Sequence, residues 1–103
     1  MSLFKRNLKI KSLLSSFDRM QSETVLSKDQ LLDLCDVIIN NRALLANFEK
    51  MSIEDANYML TFLSGAVYAL GGEVHKTGPK TFLFAKAEEY IDGTLKQYIE
   101  DVT

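Results

Sequence analysis

Residues 52–85, SIEDANYMLTFLSGAVYALGGEVHKTGPKTFLFA, hold the punctuation from which the fold is read. Ser52 followed by Ile53, Glu54 and Asp55 is a helix N-cap with acidic residues in the first turn, where the helix dipole favours them. Ala56, Met59, Leu60, Leu63, Val67 and Leu70 recur at helical spacing and define one face of a long helix. Gly71 and Gly72 end it, as paired glycines do. Glu73–Thr77 and Thr81–Ala85 then read as two short strands around Gly78 and Pro79, together a hairpin. Pro79 does not suit the second position of a primed two-residue turn, which needs positive φ. The loop is therefore longer or irregular, and the hairpin register stays open. The helix is apolar on more than one face, with Ile53, Phe62, Ala66 and Ala69 off the main stripe and the small Ser64 and Gly65 between them. A helix of this kind is covered by its own sheet and by something else, for which a second subunit is the economical candidate.

Upstream, Ala43–Phe48 is a continuous apolar run of strand length, which indicates burial on both faces. Before it, Ser27, Lys28, Asp29 and Gln30 have the form of a capping box, so a helix starts there. Leu31, Leu34, Cys35, Ile38 and Ile39 continue it at helical spacing, and Asn40 and Asn41 suit its C-terminal end. A short strand is expected around Glu23–Leu26. Beyond Lys86, apolar residues from Tyr90 to Val102 keep helical spacing despite Gly93 and predict a terminal helix. The order of elements fits an α/β fold: a two-layer sandwich in which a small mixed sheet carries helices on one face. The βαβαββ core occupies 23–85, an N-terminal amphipathic helix 1–19 and a C-terminal helix 86–103. A single core is feasible at 103 residues but small, and a homodimer adds burial.

The composition, 47% hydrophobic and 25% charged, is that of a folded globular domain. A net charge of -2 argues against a domain whose work is neutralising phosphates, so nucleic acid is not an expected partner. The distribution of charge says more. Lys5, Arg6, Lys9, Lys11 and Arg19 against Asp18 give residues 1–19 a charge of +4, while the rest of the chain carries -6. On a helical wheel Leu3, Ile10, Leu14 and Phe17 share one side of this arm, with Leu13 at its edge. Lys5, Arg6 and Lys9 lie opposite, while Phe4, Leu8 and Lys11 blur the separation. A basic amphipathic segment with Leu and Phe on its apolar face has the composition of a helix lying in a membrane interface, and equally of a first helix packed on its own domain or a second subunit. Lys9 and Lys11 interrupt the apolar residues, so neither a membrane span nor a secretory signal is expected.

The pattern offers little for catalysis. One Cys and one His supply neither a disulfide framework nor a zinc site, and no cofactor or metal is expected. Cys35 sits on an apolar stripe and reads as core. Gly71 and Gly72 follow a helix instead of opening one, so phosphate-loop readings fail on context. His75 has no nearby Ser or Cys to activate, and the Glu54–Asp55 and Glu88–Glu89 pairs lie at helix starts. An enzyme is not expected.

Residues 62–74, with 76–84 after them, carry a resemblance. The run from Phe62 through Ser64, Gly65, Val67, Tyr68, Gly71 and Gly72, followed by Gly78-Pro79-Lys80-Thr81-Phe82-Leu83, resembles the signature of the bacterial cell-division family SepF. The similarity covers roughly residues 25–85, and its second half is specific in order and spacing. It implies a non-enzymatic, cytoplasmic protein held peripherally at the inner face of the membrane at the division site. There an N-terminal helix binds the membrane and a dimeric α/β core binds the C-terminal tail of FtsZ, tethering its filaments during septum formation. By motif position the resemblance assigns FtsZ binding to Lys76 and Phe82. It assigns assembly or dimer contacts to Gly71, Phe62 and Gly65, and membrane binding to Leu3, Phe4, Lys5, Arg6, Lys9, Ile10, Leu14 and Phe17. Two departures stand out: fewer than ten residues separate Phe17 from the first strand, where the family has a long polar linker, and the tail beyond Lys86 is longer and more helical. The alternative is a dimeric α/β sandwich with a regulatory or small-ligand role, its N-terminal helix packed on the core.

Overall fold

The computed structural model describes residues 14–103. Helix α1 (Ser16–Arg19) leads into strand β1 (Gln21–Thr24), a 3-10 turn (Lys28–Gln30) and α2 (Leu31–Ile39). Strand β2 (Leu44–Asn47), the long helix α3 (Ile53–Ala69) and the hairpin of β3 (Glu73–Gly78) and β4 (Thr81–Ala85) follow. A second 3-10 turn (Ala87–Tyr90) and helix α4 (Thr94–Val102) close the chain. The caps are those the sequence spells. Gln30 Oε1 accepts from the Ser27 amide at 3.1 Å, while the Ser27 hydroxyl accepts from Asp29. Ser52 Oγ accepts from the Asp55 amide, which starts α3. Asn41 takes a positive φ of 65° just past α2, a conformation asparagine tolerates.

The sheet is small and mixed, in the order β1-β2-β4-β3, with β1 parallel to β2 and β4 antiparallel to both its neighbours. This is the α/β fold that the order of elements predicts. Strand β1 lies two residues earlier than expected, pairing Gln21 with Leu44, and Val25 leaves its end to enter the core. Because side chains alternate along a strand, β2 and β4 each present two apolar faces. Leu44, Ala46, Phe48 and Phe84 meet Leu34, Cys35 and Ile38 of α2 and Met59, Leu63 and Val67 of α3. On the reverse face Ala43, Leu83 and Ala85 pack with Leu95 of α4, together with Met20, Leu45, Tyr90, Tyr98 and Ile99. Helices therefore lie on both faces, and the expected pair of layers gains a third from the terminal helix.

Two expectations about the ends are corrected. The helix expected over 86–103 is divided, because Gly93 adopts φ 81° between the 3-10 turn and α4. The helix expected over 1–19 is interrupted within the described residues: Ser15 is extended, with ψ 162°, and acts as the N-cap of α1. Leu14 and Phe17 do not lie on one continuous helix. Leu3, Phe4, Lys5, Arg6, Lys9 and Ile10 fall outside the described residues.

The two glycines after α3 have different causes. Gly71 has φ 73°, with open space where a Cβ would be, so its backbone conformation alone requires it. A Cβ on the buried Gly72 would run into the Ala85 carbonyl and lie 2.8 Å from Val67 Cγ1 and 2.9 Å from Lys86 Cα. Gly72→Ala should therefore destabilise the domain by on the order of 3 kcal/mol in urea unfolding. Gly71→Ala, strained only in its dihedral, should cost about 1 kcal/mol.

Candidate functional site

The β3–β4 hairpin and the start of α3 enclose a groove of about 220 Å³. Its floor and walls are apolar: Phe48 and Phe82 meet edge to face at 6.0 Å between ring centroids, and Met51, Ile53, Ala56 and Leu60 complete the lining from the α3 side. Lys76, Lys80, Pro79 and Asn57 form the remainder, so the groove carries two cations and no carboxylate among its lining residues. In a body whose overall charge is negative, this is a local reversal of sign.

The hairpin register builds this arrangement. Lys76 and Phe82 are Cα partners across β3 and β4, so both side chains emerge on the α3 face. A register shift between Lys76 and Gly78 accommodates the irregular turn. The Phe48 amide donates to the Lys80 carbonyl at 2.8 Å, tying the hairpin tip to the end of β2. Phe82 shares its face with Phe84 and packs partly against the core while lining the groove, so it has both a structural role and an available surface. The contributions of Met51, Ile53, Asn57, Leu60 and Lys80 were not singled out from sequence. Ile53 was visible there only as an apolar residue off the main α3 stripe.

Phe62 and Gly65 lie together on the outward side of α3, apart from this groove. Phe62 is 46% exposed, its neighbours Tyr58 and Tyr68 are 53% and 61% exposed, and a Cβ at Gly65 would touch none of the described residues. From Ala56 to Gly72 the helix and its end contain no charged residue. Lys28 Nζ sits 5.2 Å over the Tyr58 ring at one margin. Gly71 is not on that stripe but at the end of the helix.

Helix α1 and the C-terminal helix α4 meet on the reverse side of the molecule. Phe17 stacks on Tyr98 with centroids 5.4 Å apart, the Ser16 amide donates to Asp92 Oδ2 at 2.8 Å, and the Phe17 amide donates to Thr94 Oγ1 at 3.1 Å. Arg19 pairs with Glu89 at 3.0 Å and donates to the Asn41 carbonyl. Glu89, read from sequence as an ordinary helix-start carboxylate, is only 1% exposed, and the tertiary partner Arg19 is what makes that burial tolerable. His75 faces this reverse side too, 2.9 Å from Glu73 Oε1 and with its ring against Tyr90. It is not in the groove. Burial pushes the Cys35 thiol up, with Asp36 adding to the shift, consistent with a core cysteine. Burial likewise raises the Tyr90 phenol, whose hydroxyl donates to the Glu73 carbonyl.

Together the fold and the groove define a small α/β domain equipped with an apolar, basic-rimmed cleft. The family model described as cell division protein SepF matches residues 24–88, and the chain belongs to that family. It is 38% identical over 63 residues to a cell division protein SepF of Lacticaseibacillus casei, covering 61% of this chain and 42% of that protein. Against the SepF of Bacillus licheniformis it is 33% identical over 84 residues, covering 78% and 56%. Against that of Lactobacillus helveticus it is 30% identical over 95 residues, covering 88% and 66%. The chain thus spans about half the length of the curated relatives it matches. The matched span contains the groove and α3; it excludes α1, Glu89 and α4. Among the described residues no helix is long and apolar enough to cross a membrane.

The contact between the termini has a pH signature. Partial desolvation pushes the Asp92 carboxyl up, but hydrogen bonds from the Thr94 and Ser16 amides and the Thr94 hydroxyl outweigh it and hold the pKa below the ordinary aspartate value. A depressed folded pKa means that the contribution of Asp92 is complete above about pH 4, the ordinary range, and is lost as pH falls through the lower folded value. The NMR amide shifts of Ser16 and Phe17 should titrate with that low midpoint, and the inflection should vanish in Asp92→Ala.

Proposed function

We propose that this chain is a septal adaptor that binds the C-terminal tail of FtsZ in the groove between the β3–β4 hairpin and α3. It works as a homodimer without cofactor, at the inner face of the membrane. The observation that carries the reading is the pairing of Lys76 and Phe82. The family resemblance assigns both residues to tail binding by motif position, and they are cross-strand partners lining one groove. Phe82, with Phe48 behind it, offers an apolar surface for the side chains of a docked tail, and Lys76 and Lys80 offer positive charge to its acidic residues. The size of the groove, about 220 Å³, suits one or two anchoring side chains better than a whole cofactor.

Self-association is assigned to the outward stripe of α3. A glycine inside a helix costs about 1 kcal/mol relative to alanine, and among the described residues nothing lies within 4 Å of a Cβ placed on Gly65. Close approach of a second helix there, flanked by Phe62, gives that glycine a use. Membrane attachment is assigned to the basic arm with Leu14 and Phe17. The competing reading, an N-terminal helix packed on the domain, has one observation in its favour: the docking of α1 on Asp92, Thr94 and Tyr98.

The test is titration of a labelled FtsZ tail peptide. Lys76→Glu and Phe82→Ala should each weaken binding at least about tenfold, or about 1.4 kcal/mol. Lys76→Glu is an exposed substitution, so it isolates recognition from folding, whereas Phe82→Ala requires a circular dichroism control. Absence of saturable binding by the folded wild type would remove this function. Sedimentation of Gly65→Arg should separately reveal association weakened by about tenfold or more with helix content retained.

A further inference from the structure

The described N-terminal segment is held in a conformation that a continuous amphipathic helix cannot share. In a helix running through Leu14 and Ser15, the amides of Ser16, Phe17 and Asp18 would donate to carbonyls four residues earlier. In the folded chain all three are taken. Ser16 donates to Asp92 Oδ2, Phe17 to Thr94 Oγ1, and Asp18 to the hydroxyl of the extended Ser15. These are the orphan donors of the first helical turn, capped mainly by side chains from the far end of the sequence. The Thr94 hydroxyl that accepts from Phe17 is oriented by its own bond to Asp92 Oδ1, at 2.8 Å. Phe17, which the helical wheel places on the apolar face of the arm, is spent instead on Tyr98 and remains 42% exposed.

We infer that residues 15–19 form a releasable clasp, in which docking on α4 and insertion into an anionic lipid surface compete for Phe17 and for the same backbone amides. The inference rests on the membrane reading proposed above and adds its regulation. The exchange is close to balanced in hydrogen bonds: every amide freed from Asp92 or Thr94 gains a carbonyl as the helix propagates back through Ser15. Phe17 gives up one aromatic neighbour and gains an apolar medium. A few kcal/mol of lipid contact is enough to tip such an element. Arg19, paired with the buried Glu89 and bonded to the Asn41 carbonyl, is the hinge that keeps the segment attached to the domain in either state. The clasp lies wholly outside residues 24–88, the span that the family model matches.

The experiment is flotation of the full chain with vesicles of equal parts phosphatidylglycerol and phosphatidylethanolamine, together with amide hydrogen exchange. Thr94→Val removes the acceptor for the Phe17 amide without changing charge or size. Asp92→Asn leaves one carbonyl acceptor where two carboxylate oxygens are in use. Both should bind at about fivefold to tenfold lower lipid concentration than wild type, the range that one or two released hydrogen bonds supply. Glu100→Gln, which removes a negative charge away from the clasp contacts, should shift binding less than either. In wild type, vesicles should confer exchange protection on the Ser15 amide, at the extended N-cap that the continuous helix absorbs, while the core strands stay protected. If wild type binds vesicles with the Ser15 amide gaining no protection, or Thr94→Val binds no better than wild type, the clasp is refuted and membrane attachment stands. If no protein binds, the membrane reading itself fails and the clasp with it.

Discussion

Two central strands with an apolar side chain on each face set the terms for everything else in this molecule. Leu44, Ala46 and Phe84 face one way, and Ala43, Leu83 and Ala85 the other, all at or near complete burial. A four-stranded sheet cannot leave either face in water without exposing several large side chains. The first face is covered by α2 and α3, which the parallel crossover and the long helix deliver in sequence order. The second has to be covered by the ends of the chain, so Leu95, Tyr98, Ile99 and Met20 converge there.

That demand explains why features close in the fold are remote in the sequence. The groove exists because β4 returns beside β2 and brings Phe82 against Phe48, while the hairpin tip is bonded back to the Phe48 amide. The contact between the ends of the described chain exists because covering the second face carries α4 alongside α1, so Asp92 and Thr94 arrive where the first helical amides need acceptors. Buried Glu89 belongs to the same logic, since the desolvation of its carboxylate is offset by Arg19 from seventy residues away. The groove and the contact between α1 and α4 sit on opposite faces of one small sheet.

Membership of the SepF family accounts for residues 24–88 and leaves both ends of the chain to be explained by their own contacts. Within the matched span the chemistry is modest: an apolar cleft, two lysines and a core thiol kept protonated by burial. Lys76 and Lys80 there set positive charge beside the apolar surface of Phe48 and Phe82.

Local signals determined most of the elements. The capping pattern at Ser27 to Gln30, the Ser52 cap, the paired glycines after α3 and the apolar run at 43–48 each act through neighbours a few residues away, which is why they were legible. The sequence motif also named Lys76 and Phe82, and the sheet alternation that aligns them is a local rule once the register is known. The register itself was illegible, because the Gly78-Pro79 turn admits several, and pairing with β2 selected one. Helical spacing misplaced both ends: it ran through Gly93 and Ser15, where a left-handed residue and a long-range cap stop the helices. Sequence by itself therefore determined the order, type and chemistry of the elements, since hydrophobic period and capping are properties of short segments. Only the tertiary structure decided what covers the second face of the sheet and what holds Phe17 and Glu89, because burial and desolvation depend on partners that the chain brings together only by folding.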